Sequence, residues 1–202
     1  MMKCRAFRTD LSSDQHVGNA AGQRATPLSS DRASFQIDIA CAIGSCDGQL
    51  ERMVIPATPA LPKNREAAAA TAPTGDVVAV DPSATMRDMA AARCAALIRD
   101  GRVEVRDGTA EATGCAHGTV DVAISVNNVM LWNRPAGFAE LFRVLRPGGR
   151  LLLSVHRHVL DVDPVQLVDD AQSAGFTDVK LSVRARRFNS PAVELIARQP
   201  ER

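Results

Sequence analysis

From residue 63 onward the hydrophobic positions fall into short blocks whose period alternates. Val77-Val78-Ala79-Val80 is a continuous, largely β-branched run, the pattern of a strand buried on both faces of a parallel sheet. Asp81-Pro82-Ser83 ends it. Ser83 suits the N-cap of a helix on which Met86, Met89/Ala90, Arg93/Cys94 and Leu97 recur every three or four residues, with Gly101 to close it. Val103 and Val105 begin another strand, VDVAISV (120–126) is a third and LLLSV (151–155) a fourth. Between the last two, Phe138, Leu141, Phe142 and Leu145 share one helical face, with Pro147-Gly148-Gly149 as the stop. Val165, Val168 and Ala171 mark a further helix, with Gly175 past its end. The chain closes in two extended runs, 179–183 and 193–197, with no helix between them, so they must pair as an antiparallel hairpin. Alternating strands and helices predict an α/β, three-layer αβα sandwich on a mostly parallel sheet that ends in that hairpin.

Residues 1–62 read differently. They hold polar and turn-forming clusters (LSSDQHVGNAAGQ, ATPLSSDRAS), then the proline-studded VIPATPALPKN, and no sustained period apart from Phe35-Gln36-Ile37-Asp38-Ile39. The expected organisation is an irregular, poorly ordered 1–62 followed by a domain over 63–202. That domain opens on the Ala-rich helix REAAAATAP and lacks a proper first strand, which is reduced to Met53-Val54-Ile55.

Composition narrows the function classes. Among 202 residues, 24 Lys+Arg against 23 Asp+Glu leave a formal charge of +1, so bulk charge points to neither nucleic acid nor an anionic membrane. Six Phe, one Trp and no Tyr offer few rings for stacking on bases. No apolar run reaches the ~20 residues that span a bilayer, and the first residues lack the apolar core of a secretory signal. Five cysteines, an odd number, argue for free thiols, and Cys41 and Cys46 have no second Cys or His pair nearby to complete a zinc site. The expectation is a cytoplasmic protein that takes a small molecule, with no metal, no nucleic-acid partner and no integral membrane segment; the oligomeric state stays open.

The terminal hairpin, with five local motifs, resembles the Rossmann-like (class I) S-adenosylmethionine-dependent methyltransferases. GDVVAVDPS looks like that family's second strand, RDGTAEA its adenine-flanking loop and VDVAISVNNVMLW its fourth strand. LFRVLRPGGRLLLSV looks like the helix, turn and strand that follow, and DVDPVQLVDDAQSAGFTDVKL like the last helix leading into the hairpin. The resemblance covers about 63–198. It implies an enzyme with S-adenosyl-L-methionine as cofactor and a small-molecule or lipid-like methyl acceptor.

The resemblance also implies roles by position. Asp81, at the mouth of the crevice, would accept hydrogen bonds from the two ribose hydroxyls; a turn residue before Pro82 is the plainer reading. Thr109 and Ala110 stand where the family often has Asp-Ala beside the adenine, and Thr109 departs from that pattern. Glu111 reads as solvent-exposed. Asn127, with Asn128, would border the methionine end of the cofactor, its amide accepting from the ammonium and donating to the carboxylate. Trp132 fits either a substrate wall or plain core. No catalytic group is indicated beyond His156, which with His158 follows the strand LLLSV, lies nearer the expected mouth and is a candidate base for an acceptor that keeps a proton.

One family signature is missing. A Gly-rich turn should follow the first strand, where glycine lets the backbone approach the cofactor. The register instead places Ala57, Pro59 and Leu61 there, and no glycine lies between Gly48 and Gly75. Either the cofactor site has diverged, or 1–62 derives from a displaced reading frame or wrong start; the abrupt change near residue 62 favours the second. A non-catalytic binding module on the methyltransferase fold is therefore the alternative function. A nicotinamide-dependent oxidoreductase ranks third, because G-x-G-x-x-G is absent and the hairpin is present.

Overall fold

The computed structural model describes residues 52–56, 75–185 and 191–201. The helix expected over REAAAATAP and the irregular character expected of residues 1–51 and 57–62 lie outside the described residues. In chain order the elements are β1 (Arg52–Pro56), β2 (Asp76–Val80), α1 (Ala84–Arg93), α2 (Ala95–Arg99), β3 (Val103–Arg106), β4 (Val120–Val126), α3 (Arg134–Val144), β5 (Leu145–His156), α4 (Pro164–Ser173), β6 (Thr177–Arg184) and β7 (Ala192–Arg198). Short 3-10 turns follow β4 at Val129–Leu131 and β5 at Arg157–Val159.

The strands form one sheet in the order β3-β2-β1-β4-β5-β7-β6. β1 to β5 run parallel, and β7 is antiparallel to both β5 and β6. The strand order reverses between β1 and β4. Right-handed crossovers then send the β2–β3 connection, with α1 and α2, to one face and the β4–β5 connection, with α3, to the other. The fold is the expected α/β sandwich.

Three expectations need correction. The domain does not lack a first strand: β1 lies mid-sheet, in parallel register with β2 from Arg52↔Asp76 to Pro56↔Val80 and with β4 at Met53↔Val122 and Val54↔Ala123. A short run suffices because both neighbours supply hydrogen-bond partners, and Pro56, which has no N–H to give, stands at its last position. The domain thus takes its first strand from before residue 62.

The helix ending at Pro147-Gly148-Gly149 stops earlier, at Val144. Leu145 is already extended (φ −65°, ψ 143°), fully buried and paired with Val120. Pro147 disfavours helical backbone at the residue before it, so the three residues serve as the lead-in to β5. The single helix expected after Ser83 is divided at Cys94 (φ −101°, ψ 12°), although hydrogen bonds from Cys94 N to Ala90 O and from Ile98 N to Cys94 O carry across the break.

Ser83 does cap α1, its side chain accepting from Met86 N–H at 3.4 Å. The sheet's centre is dry: all seven residues of β4 are buried. Phe138 and Leu141 of α3 and Leu167 and Ala171 of α4 are buried against it. Phe176 meets Phe138 and Phe142 edge-on at 6.5 and 5.2 Å, an arrangement that suits the ring quadrupoles. Among the described residues no helix is long and apolar enough to cross a membrane.

Candidate cofactor site

In an open parallel sheet, ligands bind outside the carboxyl ends of the strands where the order reverses. Asp81, the turn after β3, Asn127 and His156 all stand at that end.

Asp81 is half-buried directly after β2. Its Oδ1 accepts from Ser83 N–H at 2.8 Å, and its carbonyl accepts from Arg87 Nη1 at 2.9 Å. The same Arg87 nitrogen bonds Asp107 Oδ1 at 2.8 Å, tying the ends of β2 and β3 together. Asp81 therefore fills the plain turn role, and its carboxylate is held in one orientation by that role.

The loop RDGTAEA closes into a tight turn, with Thr109 N–H bonding Ala112 O and Ala112 N–H bonding Thr109 O, each at 3.2 Å. Gly108 (φ +154°) makes this possible: a Cβ there would lie 2.7 Å from both Ala112 O and Val80 Cγ1. Thr109 is half-buried, whereas the Ala110 side chain is 1% exposed and belongs to the core.

Glu111, expected in solvent, is half-buried, and its Oε1 accepts from Asn133 N–H at 2.7 Å, fastening the turn to the N-terminus of α3. Thr113 and Glu140 make a second fastening. Burial pushes the Glu140 carboxyl upward, but hydrogen bonds from Arg143 and from the Thr113 side chain and backbone outweigh it and hold the group below its ordinary value. Arg143 also donates to Cys115 O at 2.8 Å. The approach of Asn133 to Glu111 and of Thr113 to Glu140 carried no sequence signal, since these partners lie 22 and 27 residues away, whereas Arg143 is an i,i+3 neighbour of Glu140.

Asn127 is left-handed (φ +55°), a conformation that asparagine tolerates better than most residues. Its N–H bonds Ser154 O at 2.8 Å and its Oδ1 accepts from His156 N–H at 2.9 Å. The oxygen expected to meet a cofactor ammonium thus already serves His156. Asn128 is fully buried and bonded to the Ser125 hydroxyl. Trp132 is 9% exposed, edge-on to Phe138 at 6.2 Å and so close to Gly137 that a Cβ there would lie 3.0 Å from its ring. Its indole N–H is buried without a hydrogen-bond partner. His156 is half-buried, its ring centroid 5.4 Å from that of the exposed His158. The structure therefore places Asp81, Thr109, Ala110, Asn127 and His156 at the carboxyl end of the parallel strands.

Comparison with known proteins bears on the domain and on the fold. A family model described as "Methyltransferase domain" matches residues 64–149. A curated relative, the uncharacterized methyltransferase YdaC of Bacillus subtilis, is 27% identical over 113 residues, covering 52% of this chain and 60% of its own. Among solved structures, Haemonchus contortus phosphoethanolamine N-methyltransferase 2, in complex with phosphomonomethylethanolamine and S-adenosylhomocysteine, superposes with a TM-score of 0.69 at 16% identity. That match covers 81% of this chain and 52% of the other. A SAM-dependent methyltransferase from Aquifex aeolicus gives 0.65 at 15% identity, over 80% and 88%. This chain thus spans just over half the length of the first two relatives. Residues 64–149 thus match a methyltransferase domain, and the fold that contains them is similar to that of solved S-adenosylmethionine-dependent methyltransferases.

Proposed function

We propose that the protein transfers a methyl group from S-adenosyl-L-methionine to a small-molecule or lipid-like acceptor. The observation that carries the reading is the orientation of Asp81: an ionised acceptor, fixed by Ser83 N–H at the carboxyl end of β2 beside the strand-order reversal. The donor set suits an adenosyl group. Asp81 would accept from the ribose hydroxyls, while the Thr109 hydroxyl and the Ala110 backbone would meet the adenine edge. The Asn127 amide N–H would donate to the amino-acid carboxylate. The buried indole N–H of Trp132, lacking an acceptor of its own, also fits a site that receives a polar ligand.

When bound, the sulfonium supplies the activated methyl group, so the protein's share is alignment and exclusion of water. A cytoplasmic location belongs to the same reading and rests on the cysteines, of which Cys94 and Cys115 are buried free thiols.

The test is calorimetric titration with S-adenosylhomocysteine, alongside transfer of a labelled methyl group to extracted small molecules and lipids. Heat of binding with transfer supports the enzyme. Binding without transfer to any fraction supports the second reading, a non-catalytic binding module, which the absence of glycine between Gly48 and Gly75 favours. No binding at millimolar ligand refutes the site.

A further inference from the structure

We infer that Glu111 is a positioning residue for the adenine ring, an inference that rests on the proposed function and deepens it. Residues 109–112 close on themselves through the pair of 3.2 Å bonds between Thr109 and Ala112, so the central residues Ala110 and Glu111 contribute no N–H to the closure. A turn held only by its own ends can still pivot on them. Three contacts with other elements remove that freedom. At Gly108 the chain runs so close to Val80, the last residue of β2, that a Cβ would stand 2.7 Å from Val80 Cγ1. The buried Ala110 Cβ lies 3.7 Å from the point where a Cβ on Gly137 of α3 would stand. Glu111 makes the third contact and the one directed bond, its Oε1 accepting from Asn133 N–H at 2.7 Å.

Asn133 is a fixed anchor. Its side chain caps α3 by accepting from Ala136 N–H at 3.3 Å, and its carbonyl accepts from Gly137 N–H at 2.8 Å. A carboxylate at the start of this 11-residue helix is also favoured by the helix dipole. Glu111 thus ties the peptide next to the Ala110 N–H to a rigid element. Adenine presents an acceptor, N1, beside its exocyclic amine; hypoxanthine presents an N1–H donor beside a carbonyl. The Thr109 hydroxyl suits either base, because it both donates and accepts. Discrimination therefore falls to the Ala110 N–H, which pairs with N1 of adenine and confronts a second donor in hypoxanthine. That penalty lasts only while the turn cannot pivot the N–H away. Glu140 provides the contrast: its bonds go to Thr113, outside the closed turn, so it holds the loop without setting the Ala110 N–H.

The probes are S-adenosylhomocysteine and S-inosylhomocysteine, which differ at this edge alone, titrated calorimetrically into the full chain. The parent should bind the adenosyl ligand about tenfold tighter or more, the value of a hydrogen bond made in one complex and lost in the other. In Glu111→Ala the ratio should fall below about threefold, and amide exchange at Asn133 should quicken about tenfold. Glu111→Gln keeps an acceptor oxygen and should return the ratio to within about threefold of the parent. Glu140→Gln should lower the melting temperature and leave the ratio as it is in the parent. Where circular dichroism shows Glu111→Ala unfolded, Glu111→Asp, with its carboxylate one methylene shorter, should show the reduced ratio instead. An unchanged ratio in the folded variant, or an equal fall in Glu140→Gln, overturns the positioning role. Binding by the parent without preference for adenine overturns it too and leaves the proposed function standing, whereas no heat with either ligand refutes both.

Discussion

The Thr113 hydroxyl donates to Glu140 Oε1 at 2.7 Å, across 27 residues of sequence. This bond, with the Thr113 N–H to the same oxygen and two from Arg143, joins the loop after β3 to the flank of α3. The Glu140 side chain is only 10% exposed, so the group is held charged by partners rather than by water.

Its protonation should therefore be felt in stability. The folded-state value lies below the ordinary 4.5, so the carboxylate's contribution is fully present above that value and is lost as pH falls through the folded value. Glu140→Gln should cost about 1.5–3 kcal/mol at pH 7, the range for hydrogen bonds to a charged group. Urea unfolding should show the gap between parent and variant narrowing below pH 4.5. A gap that stays constant down to pH 3 would mean that the charge at Glu140 contributes nothing.

Asp81→Ala should weaken S-adenosylhomocysteine binding by about 1.5–3 kcal/mol, the value of hydrogen bonds to an ionised acceptor. The variant also removes the acceptor of Ser83 N–H, so circular dichroism must first show an intact fold. An unchanged dissociation constant in a folded variant would leave Asp81 as a turn residue alone.

Gly108→Ala tests the turn that carries Thr109 and Ala110. The added methyl meets Ala112 O and Val80 Cγ1 at 2.7 Å, one of them backbone, so the turn must open. Overpacking of this kind costs about 1–3 kcal/mol. The expected outcome is a lower melting temperature together with weaker S-adenosylhomocysteine binding. Equal binding in the destabilised variant would separate this turn from the cofactor.

How far the sequence reveals the molecule depends on the range of the forces involved. VVAV, VDVAISV and the closing hairpin are legible because burial on a sheet is written in the local pattern of apolar residues. Ser83 and Gly101 are legible because caps act within a turn. β1 is legible only as the remnant Met53-Val54-Ile55, since its extension to Arg52–Pro56 and its place in mid-sheet come from β2 and β4 on either side. The site divides the same way. Asp81 and Asn127 are located by their place after strands, but the partners of Glu111, Glu140 and Asn127 Oδ1 are set by tertiary approach.

The glycine-free stretch after β1 gives the last prediction. β1 is in place, so the sheet keeps its covered centre, and the consequence of the missing glycines falls on ligand affinity rather than on the fold. In the methyltransferases that the sequence resembles, the turn after the first strand brings backbone N–H groups against the cofactor. Prolines at 56, 59 and 62 donate none, and residues with a Cβ resist the positive φ that such a turn requires. Two or three absent donors at ~1 kcal/mol each weaken binding by tens- to hundreds-fold. S-adenosylmethionine should therefore bind this chain poorly. A variant with Ala57, Pro59 and Leu61 replaced by glycine should regain at least tenfold in affinity by calorimetry, with little change in melting temperature. Micromolar binding by the unaltered chain, or no gain from the glycines, would show that VIPATPALPKN builds a cofactor turn of another kind.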